Sequence, residues 1–468
     1  MMTSRNYSAA QRYVDNVLPG YGDIAGLEAA PPVVVTRGQG IFVYDEAGKE
    51  FIEGAAGMWC AALGFNEPAL IEAAVEQLHK LPYYLNLVDK TTSPTGELAE
   101  KLKALAPAPM ARVFFANSGS EANDTMVKLV WYYNNAIGRP KKKKIIARRM
   151  GFHGSTIGAG SLTGIPYMHT AFDLPIANVL HTDFPHYYRE GREGESEEAF
   201  ATRLADNLDA LIQREGPETV AAFIAEPVMG AAGAIVPPAT YFEKIQAVLN
   251  KHDVLFMADE VITGYGRTGN MFGSETFNIK PDLMSLAKGI TSSYQPLSAV
   301  LVADKLWEPI AEQSKKVGIF AHAFTTTGHP VAVAVALRVL DIFRERDMVG
   351  HVRRMSPILQ NGLRSFADHP LVGNVRGVGL CGAVELVADK ASKRSFAPQL
   401  RVKEFVRRAA QARGLILRAT ASGDSMAFSP PLIINEAQIA EVMRRFRATL
   451  DETQAWVDSN NLRDVKAL

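Results

Sequence analysis

Short apolar segments alternate with longer amphipathic segments through the middle of the chain. The apolar, β-branched segments that predict strands are residues 112–116, 144–147, 220–225, 254–258 and 297–302. They are apolar almost throughout, which is typical of parallel strands that are covered on both faces. The segments with a helical pattern are residues 123–136, 200–214 and 241–251. This order of strands and helices predicts an α/β domain with a doubly wound, mostly parallel sheet.

The two ends of the chain have a different pattern. Residues 32–54 predict a hairpin, and residues 372–387 predict an antiparallel pair of strands. A last helix is expected over 436–450, with Asn435 as its N-cap. We therefore predict a large α/β domain over residues 66–340. Residues 1–65 and 341–468 are expected to form a smaller α+β domain together.

Composition and charge narrow the class of protein. Apolar residues make up 47% of the 468 residues, so the chain can form a large core. Lys plus Arg and Asp plus Glu both total 50, which argues against a nucleic acid or an anionic membrane as the partner. Only two cysteines are present, so we expect no disulfide framework and a cytoplasmic location. The N-terminus has no apolar signal segment, and the apolar run 331–337 is too short for a membrane helix.

Two segments could bind phosphate. Ser118, Gly119 and Glu121 follow a predicted strand and open a predicted helix, with the spacing of a capping box. Free N–H groups at a helix start favour an anion, although an ordinary strand-to-helix junction has the same pattern. The second segment is Thr325–Thr327, whose hydroxyls could cap the following helix or bind phosphate oxygens.

An acidic residue and a lysine follow two further predicted strands. Asp259 ends an apolar strand, where open α/β sheets bind their ligands, although a structural ion pair would explain it as well. Lys288 ends the next apolar run, where burial would lower its pKa and make it nucleophilic. Most lysines are instead solvated surface residues. A phosphate site, a buried acid and a reactive lysine together match the three parts of pyridoxal 5′-phosphate.

These motifs resemble those of one enzyme family. The matching segments are NSGSEAND (117–124), GFHGSTIGAGSLTG (151–164), AEPVMGAAG (225–233), ADEVITGYGRTG (258–269), SLAKG (285–289) and TTTGHP (325–330). In this order they resemble the class III aminotransferases, which are fold type I pyridoxal-phosphate enzymes, and among them the ω-amino acid and amine:pyruvate transaminases. The resemblance covers nearly the whole chain. It implies that Lys288 binds the cofactor covalently and that Asp259 faces its pyridine nitrogen.

The resemblance also assigns the rest of the cofactor site. Val261 and Phe152 would pack on the two faces of the cofactor ring. Gly119 and Ser120 would bind its phosphate, and Thr325 would reach this phosphate from a second subunit. Phe152 departs from the family, which usually has tyrosine there, so a hydrogen-bond donor is lost.

The substrate side of the site is expected to be largely apolar. Glu226 is expected to support the cofactor region and to contact a mobile arginine, for which Arg418 is the best match. A guanidinium suits the carboxylate of an amino or keto acid because it binds carboxylates in a bidentate manner. The remaining residues expected around the substrate are Tyr21, Trp59, Leu87, Phe152 and Ala231. No metal is expected.

The expected reaction is a ping-pong transamination. An amine or ω-amino acid would donate its amino group, and a keto acid, expected to be pyruvate, would accept it. An aminomutase, racemase or decarboxylase would use the same Lys288 and Asp259, so these alternatives stay open, as does a non-catalytic protein on this scaffold. A nicotinamide dehydrogenase is disfavoured because no strand-linked G-x-G-x-x-G is present. The family also implies a homodimer with active sites shared between the subunits.

Overall fold

The computed structural model describes residues 8–27 and 31–466. Its strands are β1 (Val35–Gln39), β2 (Phe42–Asp45), β3 (Glu50–Glu53), β4 (Met110–Ala116), β5 (Lys144–Arg148), β6 (Val179–Thr182), β7 (Val220–Ala225), β8 (Leu255–Asp259), β9 (Leu283–Leu286), β10 (Ser298–Ala303), β11 (Val372–Val378), β12 (Cys381–Leu386), β13 (Leu415–Ile416), β14 (Arg418–Ala419) and β15 (Asp424–Phe428). All the strands predicted in the middle of the chain are therefore present.

The α-helices of the described residues lie between and around these strands. They are α1 (Ala9–Asn16), α2 (Ala56–Trp59), α3 (Pro68–Lys80), α4 (Ser93–Leu105), α5 (Gly119–Ala136), α6 (Ile157–Leu162), α7 (Tyr187–Glu190), α8 (Glu197–Glu215), α9 (Gly230–Gly233), α10 (Tyr241–Lys251), α11 (Gly273–Thr276), α12 (Asp304–Val317), α13 (Pro330–Glu345), α14 (Met348–Arg364), α15 (Val402–Ala412) and α16 (Glu436–Ser459). No helix of the described residues is long and apolar enough to cross a membrane.

A central sheet organises the fold. Its strand order is β4-β10-β9-β8-β7-β5-β6. The neighbours from β9 to β6 are all parallel, which confirms the predicted mostly parallel sheet. One expectation is wrong: β10 is antiparallel to both of its neighbours. The connection from β9 to β10 contains only a short 3-10 turn and no crossover helix, and a parallel strand needs a long crossover.

The hydrophobic core lies on both faces of this sheet. Every residue of β7, β8 and β10 is buried, which explains why their sequences are apolar throughout. Helix α5 covers one part of the sheet with a stripe that includes Ala122, Met126 and Val130, spaced by four residues. The burial of these side chains holds α5 against the sheet, with the first turn of the helix close to the end of β4.

Two smaller sheets flank the central one. The first has the order β1-β2-β3-β13. It combines N-terminal strands with a C-terminal one, because β13 pairs with β3, in the parallel direction. The second has the order β11-β12-β15-β14, and its β11–β12 pair is antiparallel, as predicted. The N-terminal and C-terminal segments therefore share a sheet. The domain boundaries at 65 and 340 stay a prediction, and the second of them falls within α13.

Helix α10 has the predicted bounds of 241–251, and α5 ends at 136 as predicted, whereas other helix ends extend beyond the prediction. The Asn435 side chain accepts a hydrogen bond from the N–H of Gln438, which confirms it as the N-cap of α16. Helix α16 continues to Ser459, beyond the predicted end at 450. Helix α5 begins at Gly119, four residues before the predicted start, and this places its first turn beside the end of β4.

Candidate active site

The predicted cofactor residues surround one cavity at the carboxyl ends of the central strands. The cavity has a volume of about 340 Å³. Its lining includes seven of the predicted site residues, Gly119, Ser120, Phe152, Glu226, Asp259, Val261 and Lys288. These residues follow strands β4, β5, β7, β8 and β9, so the direction of the strands brings them together.

The first turn of α5 forms one end of the cavity. The Ser118 side chain caps the helix by accepting the N–H of Glu121 at 3.2 Å. The N–H groups of Gly119 and Ser120 belong to the first turn, so they have no carbonyl acceptor within the helix and can bind an anion. A Cβ on Gly119 would lie 3.1 Å from Val261, so glycine allows this turn to pack against Val261.

Only half of the predicted capping box is present at this helix start. The Glu121 carboxylate does not bond the N–H of Ser118, but accepts the N–H of Asn117 at 2.7 Å and its side-chain amide at 3.0 Å. Glu121 therefore fixes the residue that precedes the cap. The Asn117 side chain in turn accepts a hydrogen bond from the Thr326 hydroxyl at 2.7 Å.

Asp259 is an almost fully buried carboxylate with several donors. Its Oδ2 atom lies 2.7 Å from Nδ1 of His153 and accepts the Asn123 amide at 2.8 Å. Its Oδ1 atom accepts the N–H of Val261 at 3.1 Å. Burial would raise the pKa of Asp259, but the hydrogen bond and charge of His153 outweigh it, and the pKa lies below its ordinary value. Asp259 is therefore an anion at the base of the cavity.

Glu226 is as buried as Asp259, but its carboxylate accepts hydrogen bonds only from backbone N–H groups. Its two carboxylate oxygens accept the backbone N–H groups of Phe152 at 3.0 Å and Gly230 at 3.1 Å. Burial raises the pKa of Glu226, in contrast to that of Asp259. Glu226 thus ties the loop after β5 to the start of α9. It forms no ion pair with Arg418 in the described residues.

Lys288 lies in the same cavity, in a strained backbone conformation. Its φ of 47° is in the left-handed region, which residues with a side chain rarely adopt. Burial lowers the pKa of the Lys288 ammonium, and the negative charge of Asp259 raises it in part. The amine is therefore closer to its neutral, nucleophilic form than a solvated lysine would be.

Arg418 lies at the substrate side, against aromatic rings. Its guanidinium carbon is 5.4 Å from the ring centre of Trp59 and 5.8 Å from that of Tyr21. The Tyr21 ring is in turn 6.4 Å from that of Phe152, a residue of the cavity wall. The structure therefore brings Tyr21, Trp59 and Arg418 together next to the predicted cofactor residues.

The segment that carries Trp59 has a strained backbone. Ala56, Gly57 and Trp59 have φ values of 46°, 68° and 58°, so α2 is a distorted turn. Such strain persists only where surrounding contacts hold it, and it is common at binding sites. The buried Glu53 precedes this turn and accepts the N–H of Ala55 at 3.0 Å. Burial raises the pKa of Glu53 to about 7, and the charge of Arg418 opposes this.

Six predicted residues lie outside the cavity lining: Tyr21, Trp59 and Arg418, which lie beside it, and Ala231, Leu87 and Thr325. Ala231 is on α9, where its carbonyl accepts the N–H of Ala421 at 3.1 Å. Leu87 and Thr325 belong to two segments that contact each other, since Tyr83 donates a hydrogen bond to the Thr325 carbonyl at 2.9 Å. None of the hydroxyls of residues 325–327 caps α13, whose N-cap is His329.

Several residues of the site were not predicted from the sequence. His153 and Asn123 bond Asp259. Tyr167 lies close to Tyr21; burial raises the pKa of Tyr21 to about 12, and Tyr167 contributes to this shift. Asn123 and His153 lie within quoted motifs, but their role depends on a residue far along the chain. The segment around Tyr167 gave no signal in the sequence.

The residues of this cavity fit pyridoxal 5′-phosphate. The open N–H groups of α5 suit its phosphate, and the anionic Asp259 suits a protonated ring nitrogen. The amine of Lys288 can bind its aldehyde. The His153 Nε2 atom is buried and has no hydrogen-bond partner in residues 8–27 and 31–466, so it can still interact with a bound group.

Comparisons with known proteins agree with this chemistry. The family profile of Aminotransferase class-III matches residues 25–450. A probable gamma-aminobutyrate transaminase 2, mitochondrial, of Oryza sativa subsp. indica is 52% identical, and the match covers 91% of this chain and 86% of the relative.

Solved structures of transaminases are similar over nearly the whole chain. The omega transaminase of Pseudomonas jessenii in complex with PMP has a TM-score of 0.94 and 50% identity, covering 97% of this chain and 99% of the other. A structure described as a transaminase with L-ala has a TM-score of 0.89 and 53% identity, covering 91% of this chain and 100% of the other. These relatives favour transamination over the aminomutase, racemase and decarboxylase alternatives. The chain therefore belongs to the class III aminotransferases of fold type I, and it is a pyridoxal 5′-phosphate-dependent transaminase.

Proposed function

We propose that this transaminase moves the amino group of an amine or ω-amino acid to pyruvate. The observation that carries the proposal is the position of Arg418, which lies against an aromatic wall formed by Trp59 and Tyr21. Such a wall can contact the uncharged group of an amine donor, and the guanidinium can bind the carboxylate of a keto acid. The transaminase with L-ala supports pyruvate, because alanine is the amino acid formed from it. The gamma-aminobutyrate transaminase supports an ω-amino acid donor.

Different side chains carry out different parts of the reaction. The bound cofactor supplies an electron-accepting ring for the carbon that loses its proton. Asp259 keeps a negative charge at the ring nitrogen, and His153 and Asn123 hold this carboxylate in place. The neutral amine of Lys288 would take the proton from the substrate carbon that bears the amino nitrogen and deliver it to the cofactor carbon bonded to the same nitrogen.

In this proposal, Arg418 allows one site to bind two kinds of substrate. When a keto acid binds, the guanidinium pairs with its carboxylate in a bidentate manner. When an amine without a carboxylate binds, Arg418 stays against the aromatic rings and leaves space for the apolar group. The small side chain of Ala231 and the aliphatic Leu87, where an aromatic residue is common in the family, are proposed to widen this space.

We further propose a homodimer that completes each site with residues of the second subunit. Leu87 and Thr325 do not line the cavity of their own chain. Helix α3, which precedes Leu87 in the chain, carries an apolar surface, which we call the α3 surface and which consists of Ile71, Val75 and Leu78; all three side chains are exposed. Their spacing places them on one face of the helix, and exposed apolar patches mark interaction sites.

A reducing, cytoplasmic location stays part of the proposal. Its support is that Cys60 and Cys381 are both free thiols in the structure.

Replacement of the catalytic lysine tests the reaction. Lys288→Ala should lower alanine formation from pyruvate and an amine by about 10³-fold or more, because the proton carrier is lost. It should also remove the visible absorbance of the lysine-bound cofactor. Lys280→Ala, which changes an exposed lysine, is the control and should behave like the wild type. Borohydride trapping with peptide mass mapping should label the Lys288 peptide, and a label at another lysine would contradict the assignment.

The pH dependence of the amine half-reaction tests the charge of Lys288. Its rate should rise with pH as the ammonium loses its proton, with a midpoint below that of a solvated lysine, because burial lowers the pKa. Asp259→Asn removes the charge that raises this pKa, so the midpoint should move to lower pH while the maximal rate falls. Stopped-flow absorbance measures both. A rate that falls with pH, or a midpoint that moves upward in Asp259→Asn, would refute this role.

Replacement of Arg418 tests carboxylate binding. Arg418→Ala should lower kcat/KM for pyruvate by roughly 10- to 100-fold, as expected for the loss of a charge-assisted pair of about 1.5–3 kcal/mol. The rate with an amine that has no carboxylate should change by about twofold or less. Arg418→Lys keeps the charge without the planar fork and should give an intermediate value. Equal losses for both substrates would mean that another residue binds the carboxylate.

The α3 surface can be tested through the mass of the enzyme in solution. Light scattering should give about twice the 51.0 kDa of one chain. Val75→Glu places a charge in the proposed interface and should lower both the mass and the activity, because burial of an unpaired charge is costly. Glu76→Gln, on a neighbouring exposed position, is the control. A fully active wild-type enzyme with the mass of one chain would rule out shared sites.

A further inference from the structure

A second cavity lies away from the active site. It has a volume of about 550 Å³ and shares no lining residue with the catalytic cavity. Its walls come from the segment between α7 and α8, from β11 and from the end of α14. This size is within the range of small-molecule sites. Neither the cofactor nor the transamination chemistry uses these residues.

The charge of the second cavity is strongly unbalanced. Four cationic side chains line it, Arg192, Arg364, Arg376 and Lys393, but only one acidic side chain, Glu197. The whole chain has equal numbers of basic and acidic residues, so this excess is a local feature. A concave surface with charges of one sign concentrates counter-ions of the other sign.

The floor of the second cavity is formed by buried ion pairs and does not cancel this excess of positive charge. The Arg376 side chain is only 9% exposed, and its Nη1 atom lies 2.6 Å from Glu385, which is fully buried. Arg189 also pairs with Glu385, at 2.6 Å, so two guanidinium groups share one carboxylate. Burial lowers the pKa of the neighbouring His186, which favours its neutral form. One positive charge of the floor therefore stays uncompensated.

The rim of the second cavity offers unused donors. Arg364 uses one guanidinium nitrogen for Asn361, at 2.6 Å. Lys393 uses one ammonium proton for the carbonyl of Tyr188, at 3.1 Å. The side chain of Arg192 donates no hydrogen bond to any residue of 8–27 or 31–466. Guanidinium and ammonium groups have five and three N–H donors, so most donors of these side chains are free for a ligand.

We propose that the second cavity binds a small, multiply charged oxyanion, namely a phosphate group that is free or carried by a small molecule. Arginine and lysine side chains that converge on one cavity match the tetrahedral oxygens of a phosphate. The site is also connected to the catalytic cavity. Arg376 donates a hydrogen bond to the Gly233 carbonyl at 2.7 Å, at the end of the short helix α9. The first residue of this helix, Gly230, is bonded by Glu226 of the catalytic cavity.

Calorimetric titration of the cofactor-loaded enzyme with inorganic phosphate tests the proposal. The loaded enzyme is required because the cofactor then occupies the phosphate site at Gly119. Saturable binding is expected, and sodium chloride at equal ionic strength should give none. Glycerol 3-phosphate serves as a second probe. If it binds more tightly than inorganic phosphate, the ligand is a phosphate ester, and if the two bind alike, the phosphate group alone is recognised; both results support the site.

Variants of exposed residues locate the binding. Arg364→Gln and Lys393→Gln should each weaken phosphate binding by about tenfold, as expected for one hydrogen bond to a charged group. Both side chains are exposed, so the fold should be retained. Arg354→Gln is the matched control, since it is exposed on the same helix but does not line the cavity. Absence of saturable phosphate binding, or unchanged affinity in both cavity variants, would overturn the proposal.

Discussion

The active site depends on one buried negative charge at the end of β8. Asp259 is 3% exposed, and an isolated carboxylate in that position would be costly to bury. It is stable as an anion because His153 and Asn123 bond one of its oxygens and the Val261 N–H bonds the other. These partners come from the segment after β5, from α5 and from the turn after β8. The folded arrangement of the central sheet and α5 therefore stabilises this charge by bringing its donors together.

The same cavity gives its ionisable groups different properties. Asp259 has side-chain donors, and its pKa is lowered, whereas Glu226 has only two backbone N–H donors, and its pKa is raised. The pKa of Lys288 is lowered as well. One carboxylate is thus held as an anion while the lysine is shifted toward its neutral form. In the proposed reaction this separation would let Asp259 stabilise a protonated ring nitrogen while Lys288 moves protons.

Local motifs made much of this site predictable. Asp259 and Lys288 each follow a buried strand, and strand direction then places them at one edge of the sheet. The direction of β10 was not predictable from its composition, because a strand buried on both faces is apolar whether it is parallel or antiparallel. His153 was missed since its partner is 106 residues away in the chain. Leu87 and Thr325 lie outside the cavity lining, although the family resemblance assigned both to the site.

The environment of Arg418 is consistent with the proposed use of one site by substrates of different charge. The resemblance placed Glu226 beside the mobile arginine, but Glu226 bonds Phe152 and Gly230, and Arg418 has no ion pair within 4.0 Å in residues 8–27 and 31–466. Its guanidinium lies instead against Trp59 and Tyr21. A cation–π contact contributes about 0.5–2 kcal/mol, whereas breaking a buried ion pair costs about 3–5 kcal/mol. Movement of Arg418 toward a carboxylate would therefore break no ion pair, although it would remove a positive charge that opposes the raised pKa of the buried Glu53.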